Sequence, residues 1–480
     1  MDTEITTPTI TRAVVRQTDS SWCEEELAGL SLPDGRMRQR AIDSLKRLSE
    51  QPSASIPEAS GDWAATKGTY GLFAHETVTH GVLLAAHREQ TIMRMQGYER
   101  VLVVQDSSYL DLTHYESIAG VGPIGTEKQN VRGLVMHSAL ALTELGMSLG
   151  IVHQSVWARP EPSEAQSEKE RQARPIEEKE SFKWLVGLTE TPKLAGTEVV
   201  TICDAEADVY ELLALAVESE KGLLVRASQD RALMPPEVNL IRQSVGSTQL
   251  RAQLTLKLQA TKSEAAREAK VSVRYKQVKL KPPYRPKGEG YESLPLKPLT
   301  LWAVQVCEVN PPAGCTPVEW LLLTTLSVRN TEDALQRIRW YCQRWQIEIW
   351  HKILKTGCRI EHRRLKDTDR LLTCLALYVI IAWRLHWLTH LARQEPDALC
   401  TTALTDPEWQ ALYAHATGIT QPPAQPPSIA QAVLWIAQLG GFLARKGDGL
   451  PGVTVLWRGW RRLHDLVAMW TLFHPLSDYG

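Results

Sequence analysis

The sequence lacks the patterns that mark several common classes of protein. Its eight cysteines include no CxxC pair, which argues against a zinc site and against the disulfide framework of a secreted protein. It has no GxxxxGK[ST] loop, so we expect chemistry without nucleotide hydrolysis and no nucleotide cofactor. The opening stretch "MDTEITTPTITRAVVRQTDSSW" has no apolar core, and we expect no signal peptide. These absences favour a reduced, cytoplasmic protein.

The sequence also lacks a strong net charge and an uninterrupted apolar run. The formal net charge is -1, so a polyanionic partner must be bound by local basic patches rather than by a global field. The longest apolar stretch, "LLTCLALYVIIAWRLHWLTHL", is interrupted by Arg384 and His386. We therefore predict a buried helix and no membrane partner.

Helical and strand-like segments alternate along the 480 residues, a length that predicts two to four domains. Residues 1–80 are predicted to be helical, with Arg36 and Arg40 on a basic helix that is either solvated or in contact with phosphates. Within residues 81–375, apolar strand runs begin at Arg100, form an antiparallel three-strand meander, and are followed by a β-rich insertion at about 229–328. Residues 376–480 are predicted to be helical. The pattern indicates an α/β protein.

Two aspartates follow apolar strand runs, in "RVLVVQDSSYL" and "EVVTICDAEADVY". The pattern predicts that Asp106 and Asp204 lie at strand ends, where the carboxyl ends of strands form crevices suited to chemistry. A single aspartate at a strand end is more often a turn or a helix cap. A third carboxylate in the same site would favour a metal centre, because hard divalent ions bind carboxylate oxygens.

The stretch "YCQRWQIEIWHKILKTGC" provides that third carboxylate. On one continuous helix, four polar residues fall within about 60° of the circumference, and apolar residues occupy the opposite side. Arginine, lysine and tyrosine are groups that bind phosphate oxygens. The four are Tyr341, Arg344, Glu348 and Lys355.

The spacing Tyr341-x2-Arg344-x3-Glu348-x6-Lys355, with the two aspartate motifs in this order, resembles the DDE transposases of the bacterial insertion-sequence-four family. The resemblance extends over essentially the whole chain and includes "NPPAGCTPVEWLLLT" and "LGGFLARK". It implies an RNase H-like catalytic core with a β-strand insertion, an N-terminal helical domain that binds transposon ends, and a C-terminal helical dimerisation region. It also implies a bacterial, nucleoid-associated protein.

The resemblance implies a role for each residue that matches the family motifs. Two divalent metal ions, Mg²⁺ or alternatively Mn²⁺, are expected at Asp106, Asp204 and Glu348, which are the implied catalytic residues. Phosphates near the cleaved end are expected at Tyr341, Arg344 and Lys355. A flipped base is expected to stack on Trp320 and Trp345, and DNA-end recognition is expected at Arg36 and Arg40. Trp320 is alternatively an ordinary core aromatic, since "VEWLLLTTLSV" predicts a buried strand.

The implied reaction is cut-and-paste transposition. One strand is hydrolysed at the transposon end, the freed 3′-OH forms a hairpin on the opposite strand, and the opened end is joined to target DNA. The expected partners are double-stranded transposon-end DNA, target DNA and a second copy of the chain in a synaptic complex. The alternatives are a nuclease with an RNase H-like fold that does not transfer strands, and a non-catalytic DNA-binding protein or inhibitor derived from such an element.

Overall fold

The N-terminal part of the chain forms five helices in this computed structural model, which describes residues 21–115, 118–125, 130–161, 174–237, 239–258, 264–284 and 296–474. Side-chain oxygens cap several of these helices; for example, Asp34 accepts a hydrogen bond from the Arg36 amide and Asp62 accepts one from the Ala65 amide. The helical character predicted for residues 1–80 is confirmed over residues 21–80; residues 1–20 lie outside the described residues. The helices are α1 (Trp22–Glu26), α2 (Gly35–Glu50), α3 (Ile56–Ser60), α4 (Trp63–Phe73) and α5 (His80–Met95).

Ten strands in the described residues form one mixed sheet. Their spatial order is β2-β3-β1-β5-β6-β10-β9-β8-β7, and β4 pairs with β3 as well. The strands are β1 (Arg100–Asp111), β2 (Gly122–Pro123), β3 (Arg132–Thr143), β4 (Ser148–Trp157), β5 (Glu198–Cys203), β6 (Gly222–Arg226), β7 (Ala252–Leu258), β8 (Arg267–Leu280), β9 (Leu299–Glu308) and β10 (Glu319–Thr324).

Strand direction changes across the sheet. The strands β1, β3 and β4 form the predicted antiparallel meander, and β1, β5 and β6 run parallel. The strands of the predicted insertion, β7 to β10, are antiparallel neighbours. Because β10 pairs with β6, these strands extend the central sheet rather than form a sheet of their own.

The remaining helices pack against the sheet and against one another. The long helix α11 is buried along most of its length, as expected from its nearly continuous apolar sequence. These helices are α6 (Phe182–Glu190), α7 (Tyr210–Glu218), α8 (Ile241–Gly246), α9 (Thr331–Gln343), α10 (Trp345–Lys352), α11 (Thr368–Gln394), α12 (Asp406–Thr417), α13 (Ile429–Leu439) and α14 (Val453–Phe473).

One hydrophobic cluster joins the helices of both termini to the sheet. It includes Leu45 of α2, Val104 of β1, Leu377 of α11 and Leu463 of α14. Of the described helices, α11 is the one with the length and apolar composition of a membrane span, and 83% of its most apolar stretch is buried inside the protein. A core helix therefore explains the longest apolar run, as the sequence predicts. The predicted boundary at residue 375 falls inside this helix.

Candidate active site

Asp106 lies within a strand, not at its end as the sequence predicted. Strand β1 continues to Asp111 because β3 pairs with it along its whole length. The parallel partner β5, in contrast, pairs with β1 only as far as Val104. Asp106 therefore lies just beyond the point where β1 loses its neighbour on one side.

Asp204 follows directly after β5 and begins a short 3₁₀ turn, Ala205–Ala207. Its Oδ1 accepts a hydrogen bond of 2.9 Å from the Glu206 amide. Since Val104 and Ile202 are register partners in parallel strands, the residues two positions later, Asp106 and Asp204, come side by side at the carboxyl end of the sheet. The structure thus brings these two predicted residues together.

The helix carrying the third carboxylate differs from its prediction. A single helix was expected from Tyr341 to Cys358, but α9 ends at Gln343, α10 begins at Trp345, and a π-helical segment, Ile353–Gly357, follows. The helical wheel assumed a uniform 100° per residue, which fails where the hydrogen-bonding pattern changes. Tyr341, Glu348 and Lys355 therefore lie in three successive segments, and Arg344 lies between the first two.

Arg344 lies between the two helices and links the carboxylates. Its Nη2 donates to Glu348 Oε1 at 2.6 Å, and its Nη1 lies 3.7 Å from Asp106 Oδ2. The guanidinium group therefore lies between a strand carboxylate and a helix carboxylate. Arg344 is thus shared by Asp106 and Glu348, in a site that also contains Asp204.

Burial and the neighbouring carboxylates shift the pKa values of groups in this site. Burial raises the pKa of Asp106 to about 7, the nearby Arg344 opposes the rise, and the charges of Asp204 and Glu348 add to it. Burial, followed by Asp204 and Asp106, also raises the pKa of the Cys203 thiol well above its ordinary value. A cation placed among these carboxylates would relieve their mutual repulsion.

The donor set fits a hard divalent cation, although the three carboxylates do not converge. Among the described residues, no three His, Cys, Asp or Glu side chains lie close enough together to hold a metal ion. Asp106 and Asp204 are adjacent, whereas Glu348 is turned toward Arg344. Carboxylate oxygens are the ligands that Mg²⁺ and Mn²⁺ prefer, and the pKa of Asp106 is raised chiefly by burial, with Asp204 and Glu348 adding to the rise.

Tyr341 faces the same region from the last turn of α9. Its side chain is 6% exposed and its hydroxyl is hydrogen-bonded to the Arg226 guanidinium; burial raises its pKa, while Arg344 and Arg226 oppose the rise. Sequence reasoning missed Arg226, the last residue of β6. Its place follows from strand pairing: Cys203 and Val225 are register partners, so the residue after the apolar run "GLLV" lies beside Asp204.

Lys355 lies in the π-helical segment and reaches back to β1. Its Nζ donates to the Tyr109 carbonyl oxygen at 2.7 Å and lies 3.1 Å from Glu361 Oε1. Tyr109 is three residues beyond Asp106 on the same strand. Lys355 is therefore held against the strand that carries the first aspartate.

The two tryptophans predicted to stack on a base differ in accessibility. Trp345 is 39% exposed, and the Arg344 Cζ lies 5.8 Å from the centre of its ring. Trp320, in β10, is half-buried and packs edge-on against Tyr341 with ring centres 5.1 Å apart. The Trp345 ring is therefore accessible to solvent, whereas the Trp320 ring is in contact with Tyr341.

The predicted DNA-end residues lie on a different element. Arg36 and Arg40 are exposed on α2, and the Arg40 side chain lies against α4, where a Cβ on Gly68 would be 3.6 Å from Arg40 Nε. The structure does not place them beside Asp106 or Asp204. Their surface is a separate candidate for contact with DNA.

Three families match consecutive parts of the chain. Residues 19–78 match the Transposase DNA-binding family, residues 154–384 match the Transposase DDE domain, and residues 380–472 match the Transposase Tn5 dimerisation domain. Asp204 and Glu348 lie within the matched DDE stretch, and Asp106 precedes it. The DDE domain accounts for an RNase H-like fold around the central sheet. The chain therefore belongs to the DDE transposases and resembles the transposase of Tn5, as the sequence indicated.

Proposed function

We propose that this transposase moves its element by a cut-and-paste reaction in which cleavage, hairpin formation, hairpin opening and strand transfer occur at one site. The proposal is supported chiefly by the adjacent pair Asp106 and Asp204, next to the Arg344–Glu348 pair that touches Asp106. The reaction conserves phosphodiester bonds at the joining step, so it requires no nucleotide hydrolysis.

As a DDE transposase, the enzyme cleaves and joins DNA with divalent metal ions. We assign two Mg²⁺ ions, with Mn²⁺ as an alternative, to the carboxylates of Asp106, Asp204 and Glu348. When bound, such ions lower the pKa of an attacking water or hydroxyl and stabilise charge on the phosphate. Glu348 Oε1 accepts from Arg344; a Glu348 carboxylate that held a metal ion instead would leave the guanidinium available to a phosphate.

The phosphates at the cleaved end are assigned to Tyr341, Arg344 and Lys355. Two of the three N–H donors of Lys355 are used by Tyr109 and Glu361, so the third can donate to a phosphate oxygen. Arg344, released from Glu348, can bind phosphate oxygens in a bidentate manner. These groups orient the scissile phosphate and offset the negative charge that develops on it.

We assign the stacking contact with a base flipped out during hairpin formation to Trp345, and a second stacking contact to the less exposed Trp320. Extruding a base costs a few kcal/mol, and stacking on an aromatic ring of about 1–3 kcal/mol can offset that cost. The 39% exposure of Trp345 supports this assignment.

The DNA-binding and dimerisation families indicate that the enzyme binds DNA and forms a dimer. We propose that residues 1–80 bind transposon ends through Arg36 and Arg40, that residues 81–375 catalyse, and that residues 376–480 hold two copies in a synaptic complex that captures target DNA in the nucleoid. The exposed side chains of α2 support the first assignment.

Replacing Glu348 tests the site. In the Glu348→Ala variant, cleavage of end-containing DNA and formation of joined product should both be abolished, because a metal ligand is lost, while end binding should be retained. The matched control Glu218→Ala, at an exposed position of α7, should cleave normally. A Glu348→Ala enzyme that still cuts would show that Glu348 does not bind metal.

The same assay separates the steps. Trp345→Ala should reduce hairpin formation about tenfold or more while the first nick changes little, because stacking of about 1–3 kcal/mol is lost only in the flipped state. Equal losses at the nick and at the hairpin would refute the stacking role. Nicks without hairpins and without joined product would instead indicate a nuclease without strand transfer.

A further inference from the structure

The π-helical segment Ile353–Gly357 determines where Lys355 points. The Cys358 amide donates to the Ile353 carbonyl oxygen at 2.7 Å, a five-residue separation that replaces the usual four. The wider turn directs the Lys355 side chain onto the Tyr109 carbonyl of β1. In a regular helix the residues of this segment would be rotated relative to the strand. The conformation of this segment therefore sets the position of one proposed phosphate contact.

The C-terminal helix α14 packs directly against this segment through Trp457. A Cβ on Gly357 would lie 2.9 Å from Trp457 Cε3 and 3.0 Å from Trp457 Cδ2, so the indole occupies the space that any side chain at position 357 would need. Trp457 is 7% exposed. It is part of the stretch that matches the Tn5 dimerisation domain.

The chain just after the segment is fixed to the N-terminal region. Arg363 donates to the carbonyl oxygens of Cys358, Ala54 and Pro52, the last two from the loop between α2 and α3. Arg363 is itself buried over the Tyr378 ring. Arg363 holds the Cys358 carbonyl directly after the segment, and Trp457 packs on Gly357, the last residue of the segment, so both contacts fix the C-terminal end of the turn.

We propose that Trp457 is a positioning residue: by packing on Gly357 it holds the π-helical segment in the conformation that presents Lys355 to a DNA phosphate. Within one chain, the dimerisation region thereby contributes to DNA binding by the catalytic domain. This inference rests on the proposed role of Lys355 as a phosphate contact.

The salt dependence of end-DNA binding tests the proposal. Each lost phosphate contact should reduce the slope of log K against log salt concentration by about 1. In metal-free buffer, Lys355→Gln should show this reduction, and Trp457→Ala should show it as well. The double variant should show no further reduction, because both changes remove the same contact. Trp435→Ala, a tryptophan on α13 that packs on Tyr413, serves as the matched control and should leave the slope unchanged.

A pair of substitutions that exchanges side-chain size between positions 357 and 457 distinguishes the positioning role from simple misfolding. Gly357→Ala should lower the slope in the same way, because the added methyl group clashes with the indole. Combining it with Trp457→Phe, a smaller ring, should restore the slope at least in part. Circular dichroism and sedimentation check that each variant is folded and has the oligomeric state of the wild type.

The outcomes distinguish the two levels of the proposal. If Lys355→Gln leaves the slope unchanged, the phosphate role of Lys355 is wrong. If Lys355→Gln lowers the slope but folded Trp457→Ala and Gly357→Ala proteins do not, or if the losses add in the double variant, the positioning role of Trp457 is wrong.

Discussion

Two buried charge clusters in this molecule have opposite character. Near the N-terminus, Glu26 of α1 accepts from both Nη atoms of Arg94 at 3.0 Å and lies 2.5 Å from His87 Nδ1. Burial alone would raise the pKa of Glu26, but Arg94 and His87 outweigh it and lower that pKa to about 2. At the active site, burial raises the pKa of Asp106 to about 7 despite Arg344.

The difference lies in the count of partners rather than in the degree of burial. The Glu26 carboxylate has its oxygens paired, and His87 Nε2 also accepts from the Ile151 amide at 2.9 Å, so the cluster is complete within the protein. Asp106 and Glu348 share Arg344, and although Arg226 lies beside Asp204, the pKa of Asp106 stays raised, so the site is suited to receive positive charge from outside. A complete cluster stabilises the fold, whereas an incomplete one is suited to bind a cation.

The largest expected effect is that of Asp106→Asn. Cleavage should fall at least about 10³-fold, since metal ions stabilise transition states by several kcal/mol and 1.36 kcal/mol is tenfold. The metal-free protein should nevertheless be more stable at pH 8, by up to about 4 kcal/mol, because one pKa unit corresponds to about 1.36 kcal/mol. DNA cleavage and denaturant unfolding in EDTA measure the two effects. A metal-free variant less stable than wild type would contradict the comparison.

Glu26→Gln should have the reverse profile. Breaking a buried ion pair costs about 3 kcal/mol or more, because Arg94 and His87 lose the charge that holds them. The free energy of unfolding should therefore fall by about that amount, while cleavage of end DNA at low temperature should stay within about twofold of wild type. Glu76→Gln, at an exposed position, is the control. A loss of cleavage without a loss of stability would show that this cluster is not purely structural.

The smallest effect is a pH dependence of stability. The folded pKa of Glu26 lies below its ordinary value of 4.5, so its contribution is present above pH 4.5 and is lost as the pH falls toward 2. Burial, only partly offset by Glu26, lowers the pKa of His87 below 6.5, so acidification below pH 6.5 also favours the unfolded chain. Below pH 4.5 the wild type should lose about 1 kcal/mol more per pH unit than Glu26→Gln. The same pH dependence of the free energy of unfolding in the two proteins would contradict this prediction.

The sequence predicted the strands and the order of the acidic residues, because short apolar runs and fixed spacings are local signals. It predicted neither the extension of β1 past Asp106 nor the break at Arg344. The first depends on pairing with β3, which is remote in sequence, and the second lies where Arg344 contacts both Glu348 and Asp106, the latter on a strand remote in sequence. Arg226 was missed for a related reason, since its place beside Asp204 follows from sheet order.

The helix α11 has a practical consequence for dissecting this enzyme. Because it runs from Thr368 to Gln394 without interruption, it crosses from the DDE match into the dimerisation match, which overlap at residues 380–384. Any truncation or protease cut made within this helix to separate the two regions would expose apolar surface on both of its halves, which are buried in the intact chain. Fragments cut between them should aggregate, and recombining regions from two transposases will succeed only when the whole helix comes from one parent.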